Sequence, residues 1–154
     1  MGLRTVAYPL QDLAEDVMKT AHGEIMAALS AAGVPACTNV ACATGKLSGP
    51  PTGCDECQAF HEEMLKYAYD DTTMRWDNAR SGLWFSNPWE VAKVFMPPGS
   101  GVQRSSKDAD AQALFNLMRF CTAFEEEIGP GGRSACCRAG GARNSVLHSP
   151  DQRL

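Results

Sequence analysis

The sequence predicts an all-α fold, and three observations carry the prediction. Apolar residues recur every three or four positions over long stretches, alternating strand patterns are nearly absent, and Gly and Pro fall where the helices would have to stop. At 154 residues, 44% hydrophobic and 21% charged, the chain reads as one ordinary globular domain with enough length to bury a core. No internal repeat points to a solenoid. The net charge of -4 excludes a nucleic-acid binder that works by bulk charge, so any RNA contact must rest on a local patch.

Leu10, Leu13, Val17, Ala21, Ile25 and Leu29 place a helix from about Leu10 to Ala32, stopped by Gly33 and Pro35. A second helix runs from Glu56 to about Tyr69, with Cys57, Phe60, Met64 and Ala68 on one stripe. Asn87-Pro88-Trp89-Glu90 opens a third: Asn87 accepts at the cap, Pro88 suits the first helical position and Glu90 reaches back. Met96-Pro97-Pro98-Gly99 ends it, and a polar linker follows at Gly99 to Asp108. Leu114, Leu117, Met118, Cys121 and Ile128 mark a last helix from about Asp110 to Ile128. The predicted core joins these last two helices through Trp89, Val91, Val94, Phe95, Leu114, Leu117, Met118 and Cys121. Domain organisation follows: a helical domain over 1–128, a Gly-rich linker over 129–142, poorly suited to helix, and a short tail over 143–154.

The strongest chemical signal is C-x4-C-x11-C-x2-C, formed by Cys37, Cys42, Cys54 and Cys57 around a Gly/Pro-rich return. A two-residue spacer lets both sulfurs of a pair turn toward one centre, and four thiolates make a closed structural zinc site rather than a catalytic one with a water position. Two disulfides, or four unconnected thiols, are the other readings of the same residues. The first nine residues have no apolar core of a secretory signal, and no stretch approaches the roughly 18 apolar residues of a membrane span. The expectation is a reducing compartment, cytoplasmic or nuclear, with no membrane contact. Seven cysteines, an odd number, argue against a fully paired disulfide framework. Gly2 invites a myristoylation reading, but Val6 stands where Ser or Thr is required.

Trp76 and Trp84, beside Arg75 and Arg80, read either as aromatics closing the core over a loop or as a platform on which unpaired bases stack. His61, four residues after Cys57, is a substitute zinc ligand that the four cysteines make unnecessary. Glu125-Glu126-Glu127 is a solvated helix end, and a disulfide between the adjacent Cys136 and Cys137 would be strained.

The tail holds Arg143-Asn144-Ser145-Val146-Leu147-His148-Ser149, similar to the R-x4-6-H motif of the HEPN superfamily of helical nucleotide-binding domains. Preceding it in order are Cys54-x2-Cys57 leading a helix, the Trp76 and Trp84 loop, Trp89 to Pro97 and the Leu114 helix. Together they resemble the HEPN-type domain of DAZ-interacting zinc-finger E3 ubiquitin ligases and of an uncharacterised vertebrate family encoded on the X chromosome. The resemblance covers about Leu10 to Ser149, with Trp89 to Pro97 its most specific piece.

The resemblance implies a HEPN-like helical bundle, here with an inserted zinc knuckle, that pairs with itself as a homodimer. In its active members such a domain cuts single-stranded RNA without a metal at the chemical step. Carried onto this sequence, Arg143 holds the phosphate, Asn144 is its polar companion and His148 moves the proton. A guanidinium offers fixed bidentate donors and an imidazole titrates near neutral pH. Five steps along a continuous helix rotate about 500°, so Arg143 and His148 would point roughly 140° apart. A second subunit then has to complete the site. The chain departs from the pattern in two ways: Gly140 and Gly141 precede Arg143, and the chain ends six residues after His148 where the family continues into a further helix. The function expected first is a HEPN-like RNA-associated domain that is a candidate endoribonuclease; the second is a catalytically silent dimerisation or recruitment module in a ubiquitin-linked or innate-immune protein, and the third a zinc-binding scaffold unrelated to HEPN, its tail motif a chance match. Partners within a larger assembly belong to the second.

Overall fold

The computed structural model describes residues 2–129, 131, 132, 134–136 and 138, with side chains from residue 9 onward. Helix α1 (Gly2–Ala31) is the long element against which α3 (Asp55–Leu65), α4 (Pro88–Ala92) and α5 (Ala111–Phe120) pack. It starts before the predicted Leu10, with Pro9 inside it. Its buried stripe, Ala14, Val17, Met18, Ala21, Ile25 and Leu29, has the three-to-four spacing read from the sequence. Gly33 ends it at φ 73, with Val34 N–H bonding the Leu29 carbonyl at 2.9 Å and Gly33 N–H bonding that of Ser30 at 3.0 Å. This is a six-to-one and five-to-two closure that needs a residue free to turn left-handed.

The short helix α2 (Val40–Thr44) escaped the periodicity reading because five residues have no period; its sign in the sequence is Asn39, whose side chain accepts from Ala41 N–H. Helix α3 stops at Leu65, short of the predicted Tyr69. Helix α4 begins at its predicted cap, with Asn87 accepting from Trp89 N–H and Pro88 in the first turn. Glu90 does not reach back: the Asn87 N–H bonds the Leu83 carbonyl at 3.0 Å, and Glu90 turns to Arg80 N–H and Lys93. The helix then tightens into a 3-10 turn at Lys93–Phe95 before Pro97. The linker at 99–108 is not featureless: it makes 3-10 turns at Ser100–Val102 and Ser106–Asp108. The buried Gln11 side chain ties its end to α1 by donating to the Lys107 carbonyl at 3.3 Å and, just beyond, to the Ala109 carbonyl at 2.9 Å.

The predicted helix from Asp110 to Ile128 is two pieces. Helix α5 is capped by Asp110, which accepts from Ala113 N–H at 2.8 Å, and stops at Phe120. Cys121 is extended and forms an isolated antiparallel bridge with Ala68. Thr122 N–H bonds the Tyr67 carbonyl at 2.7 Å and Tyr69 N–H bonds that of Phe120 at 3.3 Å. Backbone partners from the turn after α3 thus replace those the helix would have supplied. Among the described residues no strand forms beyond this bridge, and the fold class is all-α.

Every residue of the predicted helix-to-helix core is buried, from Trp89 at 4% exposure to Leu114 and Leu117 at zero. Complete burial of one such leucine contributes on the order of 1.5–3 kcal/mol. Trp84, fully buried, stacks with Phe60 at 5.5 Å between centroids, which makes it a core residue rather than a base platform. In the Gly-rich segment read as a linker, the described residues 131, 132, 134–136 and 138 are helical. Buried Cys136 joins the core cluster there, so an apolar contact overrides the low helix propensity of the glycines.

Candidate metal centre

The four predicted ligand cysteines converge. Cys37 lies in the irregular chain between α1 and α2, Cys42 on α2, Cys54 at the N-cap of α3 and Cys57 in its first turn. Their Sγ atoms all lie within 4.8 Å of one another, and Cys37 and Cys54 stand 3.7 Å apart. Four sulfurs about 2.3 Å from a central zinc sit about 3.8 Å apart along the tetrahedron's edges. The cluster is therefore compatible with a metal site with little movement. None of these cysteines is in a disulfide.

Local sequence places each pair. Asn39 caps α2 so that the chain doubles back between Cys37 and Cys42. Gly53, at φ 78, turns the chain into Cys54, after which α3 swings Cys57 inward. Burial raises the Cys57 thiol far above its ordinary range and raises Cys54 as well. At Cys37 burial also acts upward, but hydrogen bonds from the Asn39 backbone and the neighbouring cysteines outweigh it and the thiol is lowered. Thiolates this close in a half-buried site repel, and a divalent cation at their centre offsets two of the negative charges.

The wall over Cys57 comes from elsewhere in the chain. The 3-10 turn Ser81–Leu83 packs against α2. Ser81 is 2% exposed and stands beside Cys57, where it acts against the upward push of burial on that thiol. Gly82 lies so close that a Cβ there would stand 2.7 Å from Ala43 N and 2.8 Å from Cys42 C. Neither residue was singled out from the sequence, since nothing in a Ser-Gly pair far down the chain announces a metal. His61 is turned away: its ring meets Trp76 edge-on at 4.9 Å, so it is no substitute ligand.

Of the remaining charged residues, Glu125, Glu126 and Glu127 are exposed as expected, and Tyr69 donates its hydroxyl proton to Glu125. Arg143, Asn144 and His148 lie outside the described residues. Among the described residues no helix is long and apolar enough to cross a membrane.

Fold and site together define an all-helical domain built around a four-cysteine cluster of metal-site geometry. The chain belongs to the family described as domain of unknown function (DUF4559), whose model matches residues 1–154. It is 31% identical over 102 residues to the mouse (Mus musculus) protein named "Uncharacterized protein CXorf38 homolog". That match covers 66% of this chain and 30% of the relative's length. It supports the resemblance to the X-chromosome vertebrate family. No solved structure matches the chain.

Proposed function

We propose that the chain is a zinc-stapled helical module, HEPN-like in arrangement, that acts intracellularly by pairing with itself and recruiting partners within a larger protein. The observation that carries the reading is the convergence of Cys37, Cys42, Cys54 and Cys57 to within 4.8 Å. One closed site of four thiolates leaves no open coordination position for chemistry, and it ties the end of α1 to the start of α3. The buried Glu90–Lys93 pair serves the fold in the same way, each charge being met by backbone groups. Zinc is favoured over other metals by the all-sulfur donor set.

A second reading rests on a separate observation, the Arg143-Asn144-x3-His148 spacing. In it the dimer binds single-stranded RNA and cuts it without metal, Arg143 holding the phosphate and His148 moving the proton. The ubiquitin-ligase connection comes only from the resemblance and defines the partner class to search.

The test uses the full chain, purified reduced. Elemental analysis giving one zinc per chain, with a dimer by light scattering, supports the module; zinc well below stoichiometry in folded protein removes it. Labelled single-stranded RNA incubated in EDTA, beside an Arg143→Ala/His148→Ala variant, separates the two readings. Cleavage by wild type alone selects the nuclease, and binding without cleavage leaves the module. Circular dichroism in parallel reports whether EDTA has also stripped the staple.

A further inference from the structure

The turn Ser81–Leu83 meets the cysteine cluster on its inner side. Cys57 is the one ligand of the four with no exposed surface at all, so water cannot supply hydrogen bonds to its sulfur. Thiolate ligands in such sites need donors around them, and these donors set how tightly the metal is held. Ser81 is itself buried, on the turn that packs against α2, and stands beside that sulfur.

Gly82 brings the turn this close. A methyl group at this position would press on the backbone at Ala43 and Cys42, and backbone cannot swing aside as a side chain can. A further tie between this segment and the cluster's return loop is the bond from Leu47 N–H to the Ala79 carbonyl at 3.3 Å. Trp84, which follows the turn, is anchored in the core against Phe60, and its carbonyl bonds His22 Nε2 at 2.7 Å. The turn is thus fixed from the core side and pressed onto the cysteines from behind.

We propose that Ser81 and Gly82 are positioning residues of the metal centre: the Ser81 hydroxyl donates to the metal-bound sulfur of Cys57, and the absent side chain of Gly82 lets the turn seat against the Cys42 backbone. The inference rests on the zinc reading above and extends it beyond the four ligands. A hydroxyl donating to a thiolate stabilises the negative charge the buried sulfur must carry to bind metal, tempers its charge donation and holds the ligand in one orientation. Removing it leaves four sulfurs able to bind, but less tightly and with one of them more electron-rich.

The experiment compares wild type with Ser81→Ala, Ser81→Thr and Gly82→Ala in the full reduced chain, folding checked by circular dichroism. Zinc affinity is read by competition with a chromophoric chelator, and sulfur donation by the sulfur-to-metal charge-transfer band after substitution with Co2+. Ser81→Ala is expected to bind one metal about tenfold more weakly, at the low end of the effect of removing such a donor, with the band moved to longer wavelength. Ser81→Thr keeps the hydroxyl and restores both, and Gly82→Ala loses metal faster than wild type. Equal affinity and a superimposable band in Ser81→Ala overturn the inference while leaving the zinc site standing. Failure of wild type to take up metal overturns the zinc reading itself, and this inference with it.

Discussion

Lys93 Nζ lies 2.7 Å from Glu90 Oε2, and both side chains are only 5% exposed. Backbone groups meet both charges: Lys93 also donates to the Gly101 carbonyl at 2.9 Å and the Gln103 carbonyl at 3.4 Å, and Glu90 Oε1 accepts from Arg80 N–H at 2.8 Å. One pair on α4 and its following turn thereby joins the loop before it to the linker after it. Replacing Lys93 by Met leaves a buried carboxylate without its partner, so a loss of about 3–5 kcal/mol is expected. Urea unfolding measures it; a change below 1 kcal/mol would mean water reaches Glu90.

Leu117 has no exposed surface. Leu117→Ala is expected to lose roughly 2–5 kcal/mol, the spread depending on how far the surrounding core closes over the cavity. Thermal or urea denaturation checks the value, and a change within error would place Leu117 on the wrong face of α5.

Metal removal should act locally first. Cys57→Ser is expected to abolish zinc binding and loosen the first turn of α3, because ligand binding and local folding are one equilibrium. In hydrogen exchange the amides near Cys57 should lose protection while those around Leu117 keep theirs. Alkylation after chelation should reach Cys37 and Cys42, whereas Cys121, fully buried with its thiol pushed up to about 12 by burial, stays blocked. Equal labelling of Cys121 would show global unfolding instead.

Burial against Trp76 lowers the His61 pKa, with Glu62 and Asp71 acting weakly the other way. Between the lowered folded value and the ordinary 6.5, the unfolded chain binds a proton that the folded chain refuses, so stability rises with pH across that window. Above 6.5 the contribution is fully present, and it is lost as pH falls toward the folded pKa. His61→Gln should flatten this acid slope in denaturation measured from pH 7 down to 5. An unchanged slope would assign it to other groups.

For the RNA reading, a metal-independent cut would leave a 2′,3′-cyclic phosphate, since the neighbouring 2′-hydroxyl is then the nucleophile. Its rate should follow a group near the reference histidine pKa of about 6.5. Variants that separate the dimer should stop cutting without unfolding the chain. A protein that is monomeric at micromolar concentration, yet cuts RNA, contradicts the two-subunit site.

The sequence by itself determined the helices that carry a full apolar stripe, the caps at Asn87 and Gly33, and the identity of the four cysteines. Each of these is a local property: period, cap chemistry and ligand spacing act within a few residues of chain. Tertiary structure alone decided the rest. Cys121 reads as one more position on the stripe of α5, and only the backbone partners supplied beside Ala68 replace another helical turn by an extended bridge. The glycines at 131 and 132 read as linker, whereas the described residues there are helical and bring the Cys136 side chain into the core cluster. Ser81 and Gly82 have no local signature, because their meaning lies in a sulfur and a backbone brought to them by the packing of α2 and α3. Short-range chemistry is written in neighbouring residues, whereas a partner distant along the chain exists only once the core has formed.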